Sequence, residues 1–285
     1  MVVGRFAPSP TGPLHFGSLV AAVASYCDVK SRNGQWLLRI EDVDQTRCLP
    51  NVSVDIISTL QRFGFEWDAE IIYQSQRTDL YAQALSQLHK QGLAYACTCS
   101  RKEIADSSTL QGIEGILYPG TCLVQPIKPG MATAWRIKTD SRTIQFHDRI
   151  QGAQQHQMRR DIGDFVIQRA DGLFSYQLAV VVDDAMQGIT HVVRGADLLH
   201  STTRQIYLQQ HLGHPTPVYA HIGLVRNAQG QKLSKQTLAA ALPSDNLAST
   251  LRSAFDFLPQ LPNPAPALQS IPALWQWAME SWQLR

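Results

Sequence analysis

Val2-Val3-Gly4-Arg5-Phe6-Ala7-Pro8-Ser9-Pro10-Thr11-Gly12-Pro13-Leu14-His15-Phe16-Gly17-Ser18 opens the chain, and Gln35-Trp36-Leu37-Leu38-Arg39-Ile40 answers it. Residues 2–6 read as a short buried strand. Pro8, Pro10, Gly12 and Pro13 then forbid regular structure. The stretch from Phe16 to Arg32 reads as a helix stopped by Asn33-Gly34. Residues 35–40 return as a strand. Strand, loop, helix start and strand in that order make a β-loop-α-β unit and predict an α/β fold with a parallel, Rossmann-like sheet.

Working outward, Val52–Phe63 and Arg77–Lys90 read as amphipathic helices, the second with Leu80, Ala84, Leu85 and Leu88 at helical spacing. Gly64 and Gly92 cap their ends. Residues 94–129 read as irregular and hold three cysteines. Residues 133–157 predict antiparallel strands with a turn at Gln151-Gly152. From Phe165 the pattern resumes: a turn at 170–172, a strand at 189–193, a helix at 202–212 ending at Gly213, and a strand from Val218 toward Arg226. A turn at 227–230 leads to the polar loop Lys232-Leu233-Ser234-Lys235-Gln236. Five prolines between Pro259 and Pro272 predict a linker. Ile271, Leu274, Trp275, Ala278 and Trp282 form the stripe of a terminal helix docked on the body. The expected division is residues 1–95 and 131–242 for the main domain, 96–130 for a small insertion, and 243–285 for linker and helix.

A chain of 285 residues exceeds one minimal domain. A net charge of +2 does not by itself announce a nucleic-acid partner, so one must be argued from motifs. The first residues lack the pattern of a signal peptide. The longest apolar run, Leu178 to Val182, is far below the roughly 20 residues that span a bilayer. Five cysteines, an odd number, argue against a disulfide framework. These features predict a cytoplasmic protein with no membrane contact, and nothing demands more than a monomer.

Glycines let a phosphate approach backbone N–H groups, and a helix start attracts anions. The His15-Phe16-Gly17-Ser18 junction offers both, with an imidazole donor. Two lysines around a serine, downstream, can close over a leaving phosphate. Taken singly, these segments also read as a rigid turn and a solvated hairpin. Taken together, they resemble the two nucleotide signatures of class I aminoacyl-tRNA synthetases. The resemblance implies ATP bound by Pro8, His15, Gly17, Ser18, Lys232, Ser234 and Lys235, with His15, Lys232 and Lys235 as catalytic groups and Mg2+ carried on the phosphates. Ser18 stands where the family often has histidine, and Gln236 where it often has serine.

Arg5 to Gly12, Leu38-Arg39-Ile40-Glu41-Asp42-Val43-Asp44, Tyr176 to Asp184 and Val192 to Asp197 resemble glutamyl-tRNA synthetases. The chemistry is coherent with glutamate. Its carboxylates favour bidentate arginines, here Arg5 and Arg194, its ammonium favours Glu41, and Tyr176 adds a hydrogen bond. Phe6, Ala7, Pro8 and Ser9 complete the expected wall. A pairing of Arg5 with Glu41 across adjacent strands is the structural alternative. Val180 stands where the family often has asparagine, which implies a looser site.

Cys97, Cys99 and Cys122 supply three of the four ligands that zinc prefers. Buried free thiols are the alternative. The family resemblance offers Tyr118 as the fourth ligand of one structural zinc, as in glutamyl-queuosine-type relatives. About 45 residues follow Leu242, too few for an anticodon-binding module. With Val180 and the cysteines, this resembles the glutamyl-queuosine tRNA(Asp) synthetases. They activate glutamate without tRNA and pass it to queuosine in the anticodon of tRNA(Asp). A compact glutamyl-tRNA synthetase charging a 3′ end and a catalytically silent binding protein are the alternatives. Arg159 and Arg160 are either contacts to the tRNA or a solvated basic pair.

Overall fold

In the computed structural model, which describes residues 1–226, 230, 240–267 and 270–284, the first strand of the chain becomes the centre of the main sheet. Strand β1 (Val3–Phe6), helix α1 (Phe16–Lys30) and β2 (Gln35–Ile40) form the expected opening unit. Helix α2 (Val52–Arg62), the short β3 (Ile72–Tyr73) and α3 (Thr78–Lys90) follow. Next come β4 (Ala94–Cys97), α4 (Arg101–Ser107) and a ribbon of β5 (Gln111–Gly112) and β6 (Gly115–Ile116). A single helical turn, α5 (Thr121–Val124), precedes β7 (Ala134–Ile137). The hairpin β8 (Thr143–Asp148) and β9 (Gly152–Gln157) leads to β10 (Phe165–Gln168) and α6 (Tyr176–Met186). Strand β11 (His191–Gly195), α7 (Leu199–Leu212) and β12 (Val218–Ile222) finish the main sheet, and α8 (Leu247–Phe257) and α9 (Ile271–Ser281) follow.

The main sheet is parallel, in the order β12-β11-β1-β2-β3. From β1 the chain first winds toward β3 and later returns to the other side as β11 and β12. The strand order therefore reverses between β1 and β11, and in such sheets the crevice beyond the strand ends at that point receives the ligand. Helix α1 must lie close on β1 to frame this crevice. Gly4 permits it, since a Cβ there would stand 2.4 Å from Val29 Cγ2.

Alternate residues of β2 face opposite layers. Trp36 and Leu38 join a core with α1, α2, α8 and α9, whereas Leu37 joins one with α3, α6 and α7. In the first core Tyr26, Trp36, Phe65, Phe255 and Trp275 stack edge to face, and the Trp275 indole donates to Phe63 O at 2.8 Å.

Three details differ from the sequence reading. Residues 94–129 contain more regular structure than their composition announces. Strand β7 does not pair with β8; it lies between β4 and β10 in a separate antiparallel sheet, while β8 and β9 pair with each other. Helix α8 lies in a stretch assigned to the linker, although its Leu251, Ala254 and Phe255 recur at helical spacing and bury one face of it. Beyond the strand ends, Leu242 N donates to Leu14 O at 3.0 Å and Ala241 bridges His15. Among the described residues no helix is long and apolar enough to cross a membrane.

Candidate active site

At the reversal point lies a cavity of about 630 Å³. Arg5 and Phe6 reach it from the end of β1, Glu41 from just beyond β2, Arg194 from β11, Tyr176 from the first turn of α6, and His15, Gly17 and Ser18 from the start of α1. Ala7, Pro8 and Ser9 form the connecting wall. Every predicted site residue around this cavity that the structure describes is thus brought to one place. Lys232, Ser234 and Lys235 lie outside the described residues. The segments that flank them do not: Val225 lines the cavity and Leu242 is bonded to Leu14.

The two arginines are held differently. Arg5 is buried and presents Nε and Nη2 to the Asp184 carboxylate, at 3.2 and 3.4 Å. Its Nη1 amino group takes no part in that fork. Arg194 is more fully engaged. Nε donates to His221 Nε2 at 3.0 Å, and Nη2 donates to Thr202 Oγ1 and Gln205 Oε1, both at 2.8 Å. Nη1 donates to the Tyr176 hydroxyl at 3.2 Å. A guanidinium has five N–H donors, and these contacts leave one on Nη1. The Tyr176 oxygen accepts from Arg194, so its own O–H is left to donate. Burial pushes the Tyr176 phenol up, which keeps that proton in place. The expectation of two bidentate forks is therefore corrected at Arg194. A carboxylate here meets one guanidinium N–H and one phenolic O–H.

Glu41 does not pair with Arg5. Its carboxylate accepts from Arg39 Nη2 at 3.1 Å. Burial pushes the Glu41 carboxyl up, against the opposing pull of Arg39 and Arg5. A cationic guest would relieve that strain on its charge. Val180, the expected source of looseness, lies within α6, is buried in the core and does not line the cavity.

His15 is the N-cap of α1, and its Nδ1 accepts from Ser18 N at 3.2 Å. A neutral ring that accepts at Nδ1 carries its proton on Nε2. The α1 start thus combines an imidazole donor with the backbone N–H groups and positive dipole end that favour a phosphate.

Sequence reasoning missed the charges beneath this floor. Arg39 Nη1 contacts Asp184 Oδ1 at 2.8 Å, and Asp184 thus bridges Arg39 and Arg5. Burial raises the Asp184 carboxyl, but Arg5 and Arg39 outweigh it and hold it below the usual range. Asp183 accepts from Gln74 at 2.8 Å and from Arg77 and Tyr81 at 2.7 Å. Two adjacent aspartates in the apolar run of α6 were the available signal, because buried charges require partners.

Away from the cavity, the sulfurs of Cys97, Cys99 and Cys122 all lie within 4.8 Å of one another. The Tyr118 hydroxyl is 3.6 Å from Cys99 Sγ and accepts from Cys122 N at 2.8 Å. Arg136 donates to Cys97 Sγ at 3.2 Å and stacks over the Tyr118 ring at 4.1 Å. The donor set and its convergence fit a tetrahedral metal ion.

Residues 1–249 match the family described as tRNA synthetases class I (E and Q), catalytic domain. The chain is 54% identical over 280 residues to a glutamyl-Q tRNA(Asp) synthetase of Dechloromonas aromatica (strain RCB), covering 98% of this chain and 93% of that one. A protein of the same name from Neisseria meningitidis serogroup C / serotype 2a (strain ATCC 700532 / DSM 15464 / FAM18) is 51% identical, with 100% and 96% covered. Among solved structures, a glutamate tRNA ligase from Elizabethkingia meningosepticum CCUG26117, in complex with its amino acid, is similar with a TM-score of 0.70 and 29% identity. That match covers 82% of this chain, which spans about half (52%) of the solved chain.

Proposed function

The chain belongs to the class I tRNA synthetases of the E and Q type, and within them to the glutamyl-Q tRNA(Asp) synthetases; from that membership we propose the reaction its cavity performs. It is a ligase that activates L-glutamate with ATP, without tRNA, and transfers the glutamyl group to queuosine in the anticodon of tRNA(Asp). The observation that carries this reading is the convergence of Arg5, Glu41, Tyr176 and Arg194 with the His15-capped start of α1 on one cavity.

In the first step a glutamate α-carboxylate oxygen attacks the α-phosphorus of ATP. The bond to the bridging oxygen breaks, and pyrophosphate leaves. His15 Nε2–H, Ser18 and the α1 backbone hold phosphate oxygens, and Pro8 and Gly17 allow their close approach. Lys232 and Lys235, with Ser234, stabilise the charge that grows on pyrophosphate. Mg2+ travels with the phosphates. Arg5 faces one substrate carboxylate, Arg194 and Tyr176 the other, and Glu41 the ammonium. In the second step a hydroxyl of the queuosine cyclopentene-diol attacks the activated carbonyl, and AMP leaves. Its carrier is the anticodon stem-loop of the tRNA.

Cys97, Cys99, Tyr118 and Cys122 would hold one zinc ion. When bound it supplies a structural cross-link, since none of its ligands lines the cavity. We propose that the enzyme acts as a cytoplasmic monomer.

The test is glutamate-dependent ATP–pyrophosphate exchange without tRNA, with glutamine and aspartate as controls, followed by transfer to tRNA(Asp) with and without queuosine. Exchange with glutamate alone, and transfer only to the queuosine-bearing tRNA, is the expected result. Exchange that requires tRNA, with transfer to the 3′ end, would identify a compact 3′-charging enzyme instead. No exchange under any condition would point to a silent relative.

A further inference from the structure

Arg194 is not held by cavity residues alone. Behind it, on the next strand, stands His221, the register partner of Arg194 across β11 and β12. Behind His221 stands Asp148, at the end of β8. The two are completely buried and Arg194 nearly so. Asp148 Oδ2 lies 2.6 Å from His221 Nδ1, and its Oδ1 accepts from His221 N at 3.1 Å. Oδ1 also accepts from Ile150 N at 3.0 Å and Gln151 N at 2.8 Å. Gln151 in turn donates to His221 O at 2.8 Å. Neither His221 nor Asp148 lines the cavity.

The hydrogen bonds fix the direction of the relay. Arg194 Nε can only donate, so His221 Nε2 must accept, and the imidazole proton must sit on Nδ1, facing Asp148. Burial lowers the imidazole below its usual range, against the pull of Asp148, so the ring is neutral. Of the two neutral tautomers, only Nδ1–H can receive the Arg194 bond. Asp148 selects it, because an ionised carboxylate only accepts.

We propose that Asp148 and His221 are positioning residues for substrate recognition: Asp148 sets the tautomer of His221, and His221 aims Arg194 so that its remaining N–H and the Tyr176 hydroxyl meet a substrate carboxylate. This role rests on the reading of the cavity as the glutamate site. It adds a specificity device located outside that cavity.

Asp148→Asn is nearly isosteric and isolates the effect. The amide oxygen can keep the backbone N–H groups of Ile150, Gln151 and His221. The amide nitrogen then faces His221 Nδ1 as a donor, so the ring proton moves to Nε2 and confronts Arg194 Nε. One buried donor is left opposed by another. Glutamate affinity should fall by about 10- to 100-fold, the range for a buried unpaired donor. ATP affinity should stay within about twofold, since neither Asp148 nor His221 lines the cavity and none of the hydrogen bonds that form the relay reaches His15 or Ser18. Both are read by calorimetric titration of the full chain, and the tautomer by long-range proton–nitrogen NMR of His221.

A proton that remains on Nδ1 in Asp148→Asn, or a proton that moves while glutamate affinity holds within twofold, overturns the proposal. Should Asp148→Asn not fold, His221→Leu and His221→Gln carry the test. Leucine removes the acceptor and should reproduce the loss. The glutamine oxygen can take the place of Nε2 and should restore glutamate affinity to within about threefold. Equal glutamate affinities in the leucine and glutamine variants overturn the proposal. Failure of the unsubstituted chain to bind glutamate overturns the reading of the cavity itself, and this role with it.

Discussion

Glu41 is the anionic pole of the amino-acid site, and its raised carboxyl makes a pH prediction. The group binds an ammonium only when ionised. As pH falls, it takes up a proton earlier than an ordinary glutamate, so glutamate affinity should decline at a higher pH than an unshifted carboxyl would give. Glu41→Gln should raise the glutamate KM in pyrophosphate exchange by about 10- to 100-fold. It should also flatten that acid limb and leave the ATP KM little changed. Lys235→Ala should cut exchange by roughly 10²- to 10³-fold while leaving glutamate binding intact, which titration would show. A parallel loss of binding would remove Lys235 from the proposed role. The residues that could touch a substrate were largely legible in sequence, because each pairs a charge with a recognisable local context. Their supports were not. The Arg5–Asp184 contact spans 179 positions, and His221–Asp148 spans 73. The adjacent aspartates of α6 announce that buried partners are needed, but nothing local says which, and that is why two bidentate arginine forks were expected where Arg194 retains only one N–H.

At the scale of elements, α1 joins two duties. Its apolar face is buried between the sheet and α8, and its start, capped by His15, forms one end of the cavity. Both follow from the strand-loop-helix pattern and were legible. The pairing of β7 was not, since an antiparallel strand reads the same whichever neighbour it takes. Helix α8 went unread although Leu247, Leu251, Ala254, Phe255 and Leu258 recur at helical spacing, because the prolines that follow drew the stretch from residue 243 into the linker. Two predictions belong here. Trp275→Ala should destabilise the chain by about 3–5 kcal/mol, since α9 docks through that ring and its bond to Phe63 O; thermal unfolding would measure it. Cys99→Ser should lower bound zinc, measured by elemental analysis, and lower the melting temperature before it lowers exchange activity. Full metal retention in that variant would exclude Cys99 from the metal site.

At the scale of the whole molecule, the parallel sheet gathers residues from four distant segments at one crevice. The two core layers pack against both faces of the sheet whose strand ends form the floor of the cavity. Activation without tRNA, the outcome expected of the exchange assay, is the behaviour of a site assembled by the fold alone. The central place of β1 has a further consequence for how the protein is made. Strand β1 acquires β2 soon after it leaves the ribosome, but its other neighbour starts at His191. At synthesis rates of about 5–20 residues per second, that edge waits roughly 10–40 s for its partner. A nascent chain arrested at residue 188 should therefore be readily cut by protease within its first segment. Chains released at full length should resist. During that interval the open edge of β1 is the part of the protein that a chaperone has most reason to cover.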